Sequence, residues 1–211
     1  MGYRHTKEEI LDGALVAVFD EGLSQLTFGR LAKRLGVSDR VIVYYFPTKD
    51  DLISEVLAAV GLRLQATLAP TLSSPSADHR EFVRSAWPVV AVEEADPIFA
   101  LFFEAAGLAA AGREPYRSLV APLIGAWIEW AGEFVTGTAA HRRREAAAAI
   151  AMLDGLLLIR QLAGADVADR AAVALGVRGR RRQISSLSAT VIGTDSTPFM
   201  SMVGRVSDSR E

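Results

Sequence analysis

The sequence predicts an all-α protein: a three-helix helix-turn-helix domain followed by a larger helical domain. Three observations lead there. Apolar residues recur at helical spacing in one segment after another, and several of those segments open with a Thr or Ser that suits a helix N-cap. No run alternates apolar and polar residues with the period of a strand. Of the 211 residues half are apolar and 23% are charged, with a mean hydropathy of +0.22, so the chain can bury a sizeable core. There is no cysteine, which removes disulfides, thiolate metal sites and a cysteine nucleophile. The histidines at 5, 79 and 141 stand too far apart for a helical zinc pair, and no cofactor is implied. Met1-Gly2-Tyr3-Arg4-His5 leads into charged residues without an apolar leader, and the stretches 118–128 and 146–153 are cut by Glu129 and Asp154. Both stop short of the 18 or so residues of a membrane span, so the expectation is a cytoplasmic protein without a membrane partner.

The first helix starts at Thr6-Lys7-Glu8-Glu9, a capping box, and carries apolar positions 10, 11, 14, 15, 18 and 19 up to a stop at Gly22. A short second helix fits Thr27 as N-cap with Phe28, Leu31, Ala32 and Leu35 on one face and Gly36 as its left-handed end. The third starts behind Ser38 and ends by Phe46, because Pro47 disfavours helical geometry in the residue before it. Thr48-x-x-Asp51 caps a long fourth helix through Leu52, Val56, Leu57 and Val60. After a Pro/Ser loop, helices are expected at 78–94, 97–111, 115–136, 140–163 and 167–175, with boundaries at Asp96-Pro97, 112–115 and Gly137-Thr138. From residue 177 the composition turns to Arg, Ser, Thr and Gly, and a poorly ordered tail over 177–211 is the expectation. The domains read as 1–53, 54–176 and that tail.

Within the first domain the helix, the Gly36 turn and the next short helix form a helix-turn-helix candidate. With Ile42 facing inward, Phe46 falls on the same side one turn later. Arg40 and Tyr44 then stack on the outward face, with Asp39, Val41 and Val43 around them. The molecule is slightly acidic, with a formal charge of −2 and pI about 6.0. Between Thr27 and Lys49, however, stand Arg30, Lys33, Arg34, Arg40 and Lys49 against Asp39 alone, a local balance of +4. A three-helix packing unit with half-buried Tyr44 and Tyr45 explains part of this pattern; a surface for double-stranded DNA explains it too.

The run Leu26-Thr27-Phe28, Leu31-Ala32, Leu35-Gly36-Val37-Ser38 and Ile42-Val43-Tyr44-Tyr45-Phe46-Pro47-Thr48-Lys49-Asp50-Asp51-Leu52 resembles the N-terminal domain of the TetR family of bacterial transcriptional regulators. About 45 residues match in order and spacing. The resemblance implies that Thr27 and Ser38 meet DNA phosphates at helix N-termini, where orphan amides attract anions. It places Arg40 and Tyr44 in the major groove with Asp39 and Val41 beside them, Tyr45 at the family's frequent His or Tyr position, and Lys49 on a phosphate. A cation in the first turn of a helix opposes the macrodipole, which is itself an argument for an anion near Lys49. Val43 departs from the family, where many members carry a Tyr that can donate to a phosphate. That departure sustains an alternative reading, a ligand-binding or partner-binding protein of the same fold that binds no operator.

The rest of the chain is rich in aromatics, for which a core role and a pocket role are both open. By the resemblance this region encloses a small-molecule inducer, and the candidate ligand residues are Trp87, Phe99, Phe103, Trp127 and Trp130, with Glu104 as a polar contact. The inducer expected of them is apolar, aromatic in character. The small residues of 146–158 allow close helix approach, and the resemblance implies a homodimer built from the helices at 115–136 and 140–163. Glu93, Glu94, Asp96 and Glu104 lack a His partner or metal spacing, so no enzyme is expected. The expected activity is a ligand-responsive regulator of transcription, a repressor released from its operator by the inducer.

Overall fold

The computed structural model describes residues 5–177; the Arg178, Arg180, Arg181 and Arg182 cluster and the expected tail beyond it lie outside the described residues. Among the described residues nine α-helices follow one another: α1 Lys7–Glu21, α2 Phe28–Leu35, α3 Asp39–Tyr45, α4 Lys49–Leu68, α5 His79–Val90, α6 Asp96–Ala110, α7 Tyr116–Gly132, α8 Ala139–Ala163 and α9 Ala165–Ala174. The expected capping boxes form. The Thr6 hydroxyl oxygen accepts the Glu9 N–H while the Glu9 carboxylate accepts the Thr6 N–H, and Thr48 and Asp51 repeat the arrangement at the start of α4. Gly36 ends α2 in the left-handed conformation at φ 67°, which a side chain would strain, and its N–H donates to the Ala32 carbonyl.

Several boundaries differ from the sequence reading. α5 stops at Val90, four residues early, because Glu93–Ala95 form a separate 3-10 turn that redirects the chain into α6. α7 closes at Gly132, and α9 starts two residues early, directly after Gly164. A 3-10 turn at Leu23–Gln25, invisible to a periodicity argument because it is one turn long, bridges α1 and α2. By length and mean hydropathy alone, Lys49–Leu72 and Ala139–Ala163 are long and apolar enough to cross a membrane, which corrects the expectation that no stretch reaches that length. Both carry rows packed inside the molecule: Leu52, Val56 and Val60 on α4, and Ala146, Ala149, Leu153 and Leu157 on α8.

The apolar interior falls into two clusters. One joins α1, α2, α3 and the first half of α4 through Ile10, Leu15, Leu31, Ile42, Phe46 and Leu52, and it is completed by Ile98, Leu101 and Ala105 of α6 and by Tyr116 and Val120 of α7. The other gathers α5, α8, α9 and the end of α4 around Phe82, Trp87, Leu153, Leu156 and Val177. The expected domain boundary after residue 53 falls inside α4, which serves both clusters. Polar ties reinforce the joints: Lys7 to Glu55 at 2.6 Å and Arg63 to Asp12 at 2.5 Å between α1 and α4, and a two-point grip of Arg160 on Asp96 at 2.6 and 2.9 Å between α8 and α6. Arg160 is nearly buried, and guanidinium–carboxylate pairs of this bidentate kind are among the stronger polar contacts a protein makes.

Candidate nucleic-acid interface and ligand cavity

α3 has one buried residue, Ile42, and its chain exit is pinned by buried Phe46, so the rest of the helix turns outward. Tyr44 is 79% exposed, and Asp39 and Arg40 are exposed beside it. Tyr44 stands edge-on to Tyr45, with ring centroids 4.9 Å apart, so its ring is propped away from the helix. Thr27 caps α2 by accepting the Arg30 N–H. Ser38 occupies the N-cap of α3 without making a side-chain cap bond, which leaves its hydroxyl available. Lys49 is exposed at the first position of α4.

Three readings from the sequence need correction. Tyr45, a DNA-binding candidate by the resemblance, is half-buried and its hydroxyl donates to the His5 carbonyl at 2.9 Å, so it ties the end of α3 to the segment leading into α1. Val41 is half-buried against the first cluster, whereas Val43 is 42% exposed, so Val43 is the apolar neighbour of Tyr44 on the surface. The local charge is also smaller than the sequence count. Arg34 pairs with Asp20 and Glu21, and Arg30 contacts Glu21 and Gln25. Among the described residues Lys33, Arg40 and Lys49 form no ion pair, and these three make the positive surface.

A narrow cavity of about 80 Å³ lies between α4, α5, α6, α7 and α8. Its walls are Leu57, Val60 and Leu64 of α4, Phe99 and Phe102 of α6, Trp127 of α7, Leu153 and Leu157 of α8, and further aliphatic groups. Of the expected ligand residues only Phe99 and Trp127 line it. Trp87 belongs to the second cluster, 2% exposed with its indole N–H unpartnered, and Phe103 and Trp130 pack against the same cluster outside the cavity wall. Trp130 instead props Trp127, edge-on at 5.2 Å between ring centroids. One carboxylate, Asp154 of α8, also lines the cavity, and burial pushes it up to about 6. The sequence reading missed it. Its signal was a lone acid within the apolar run of α8, on the face shared with Ile150 and Leu157.

Glu104 corrects the expectation most sharply. Its two carboxylate oxygens accept the N–H groups of Leu23 and Ser24, each at 2.9 Å, so α6 grips the first backbone amides of the 3-10 turn between α1 and α2. The approach requires Gly22: at φ 87°, a Cβ there would sit 3.0 Å from the Glu104 Oε2. The nearby Tyr116 phenol is held above its ordinary range by burial and by the charges of Glu104 and Asp50. At the far end of the molecule the carboxylate of Glu145 is lowered to about 2, chiefly because the His79 side chain and backbone N–H bind it.

Comparison with known proteins adds four findings. A family model described as bacterial regulatory proteins of the tetR family matches residues 10–56, which span α1 through the first turns of α4. The chain is 37% identical over 68 residues to the HTH-type transcriptional regulator BetI of Serratia proteamaculans, a match covering 28% of this chain and 34% of that relative, so it spans about a third of the curated relative's length. A TetR-family regulator from Rhodococcus sp. superposes with a TM-score of 0.65 at 18% identity, covering 81% of this chain and 94% of the other. The multidrug binding protein EbrR, in complex with proflavin, superposes with a TM-score of 0.57 at 26% identity over 80% of this chain and 98% of its own.

Proposed function

We propose that this chain, whose residues 10–56 match the tetR family of bacterial regulatory proteins, is a dimeric transcriptional repressor released from its operator by an apolar, aromatic small molecule. The observation that carries the reading is the division of α3, with Ile42 and Phe46 locked in the core and Arg40, Val43 and Tyr44 presented beside Lys33 and Lys49. A helix held in this way can enter a major groove with its base-reading side chains already placed, while Thr27, Ser38 and Lys49 meet the flanking phosphates. The curated relatives it matches are HTH-type transcriptional regulators.

The second copy of the chain would cover α8, where Ala151, Gly155, Leu158, Ile159 and Leu162 are exposed on a face of small and aliphatic residues. The ligand would occupy the cavity, as EbrR's proflavin complex encourages, and must part its walls to enter. Since α4 forms one wall and Lys49 and α3 lie at its other end, a ligand that displaces α4 also moves the DNA-reading surface. Such a ligand favours one arrangement over the other and thereby shifts DNA affinity. Titrating labelled DNA from upstream of the gene with the purified protein tests the reading: nanomolar, salt-sensitive binding lost on adding an apolar aromatic compound is expected. Absence of sequence preference over random DNA of the same length would overturn it.

A further inference from the structure

The cavity is aliphatic and aromatic on every wall but one, and the exception is a carboxylate. Asp154 lines it from α8, together with Leu153, Leu157 and Ile150, while Phe99 and Phe102 line it from α6 and Trp127 from α7. Among the described residues no hydrogen bond or ion pair reaches this carboxylate. The charged groups on the surrounding helices are engaged or placed elsewhere. On α4, Glu55 pairs with Lys7 and Arg63 with Asp12, and Lys49, Asp50 and Asp51 belong to its far end. On α6, Asp96 is held by Arg160 and Glu104 by the Leu23 and Ser24 amides. Glu129 of α7 pairs with Arg143, Arg84 of α5 donates to the Gly176 carbonyl, and Glu145 of α8 binds His79. Glu93 and Asp169 of α9 act on Arg160. Among the described residues no cation pairs with Asp154.

We propose, building on the reading of the cavity as the inducer site, that Asp154 makes this protein selective for lipophilic organic cations, flat aromatic molecules carrying one delocalised positive charge. A carboxylate taken out of water without a partner is destabilising, and a ligand that brings its own cation removes that penalty on binding. The aromatic walls work in the same direction, because the faces of Trp127, Phe99 and Phe102 attract a cation that a neutral ring does not exploit. The single carboxylate suits a monocation, whereas an anion meets repulsion in a site that carries no positive group among the described residues. Burial holds the Asp154 carboxyl up to about 6, so the site is charged at neutral pH and loses its charge below that value.

Nile blue and Nile red provide the test, since they share a fused ring framework and the first is a cation while the second is neutral. Binding of each dye to the full-length protein, without DNA, is followed by fluorescence at pH 8 and pH 5. The wild type should bind Nile blue more tightly than Nile red at pH 8 by about tenfold or more, and the advantage should shrink at pH 5. Asp154→Asn should abolish the preference while keeping Nile red affinity within about twofold, and Asp154→Glu should retain it. Equal binding of the two dyes by the wild type, or Nile blue affinity unchanged in Asp154→Asn, would overturn the cation selectivity and leave the cavity reading standing. Failure of the wild type to bind either dye would overturn the cavity reading itself, and the selectivity with it. Should Asp154→Asn fail to fold, the wild-type pH dependence and Asp154→Glu decide the matter on their own.

Discussion

An acid that is harder to ionise in the folded chain than in the unfolded one makes stability depend on pH. For Asp154 the carboxyl rises from 3.8 to about 6, so the folded state holds the proton more tightly. Stability contributed by this group is therefore full below about pH 4, falls as pH rises through 6, and stays low at neutral pH, a loss of up to about 3 kcal/mol before screening by water at the cavity mouth. Asp154→Asn should accordingly raise the urea midpoint at pH 7.5 and leave it nearly unchanged at pH 4; equal midpoints at both pH values would show that the carboxyl is not desolvated. Glu104 acts through hydrogen bonds to the backbone: its two carboxylate oxygens accept the Leu23 and Ser24 N–H groups. Glu104→Ala should cost about 1 kcal/mol, because the part-buried Leu23 amide loses its partner while the exposed Ser24 amide turns to water. It should also blunt the loss of DNA affinity on ligand addition, since α6, a cavity wall through Phe99 and Phe102, would no longer hold the turn between α1 and α2. Full ligand response in that variant would make the contact purely structural.

At the scale of elements, α2, α3 and the start of α4 divide the work of DNA binding. Lys49→Ala should weaken binding to every sequence and lower the salt dependence by about one counterion, because a cation at a helix start contributes charge and no base recognition. Tyr44→Ala should cost about 1–3 kcal/mol on the preferred operator and less on mismatched ones; competition between operator variants separates the two behaviours. The caps at Thr6, Thr27 and Thr48 and the outward face of α3 were legible in the sequence because each depends on residues three or four apart. What depends on distant segments was not. That Asp20 and Glu21 neutralise Arg34 follows from how α1 crosses α2, and Glu104 lies 81 residues from the amide it binds. Trp87, Phe103 and Trp130 read as cavity residues because size and apolarity are shared by core and pocket; only packing distinguishes them, as it does the lone acid Asp154.

The molecule as a whole is held together across the boundary that a sequence division suggests. A fragment of residues 1–68 retains α1 to α4 but leaves Ile98, Leu101, Ala105, Tyr116 and Val120 absent from the cluster it needs. Measured by circular dichroism and thermal melting, it should be partly unfolded or melt far below the full chain. Dimerisation has an equally direct probe in Gly155, where an added Cβ meets nothing within 4 Å inside the subunit. Gly155→Arg should leave the monomer's fold intact, yield monomers by sedimentation, and abolish tight operator binding; operator affinity retained in a monomer would remove the dimer from the reading. The unbroken run of α4 has a mechanical meaning as well. Twenty helical residues make a rod about 30 Å long, so a tilt on the order of 5° about its cavity end swings Lys49 through about 2–3 Å, comparable with the whole length of a hydrogen bond. Such a lever arm turns a slight spreading of Leu57, Val60 and Leu64 by a ligand into the loss of a phosphate contact at the opposite tip, with no need to unfold any part of the chain.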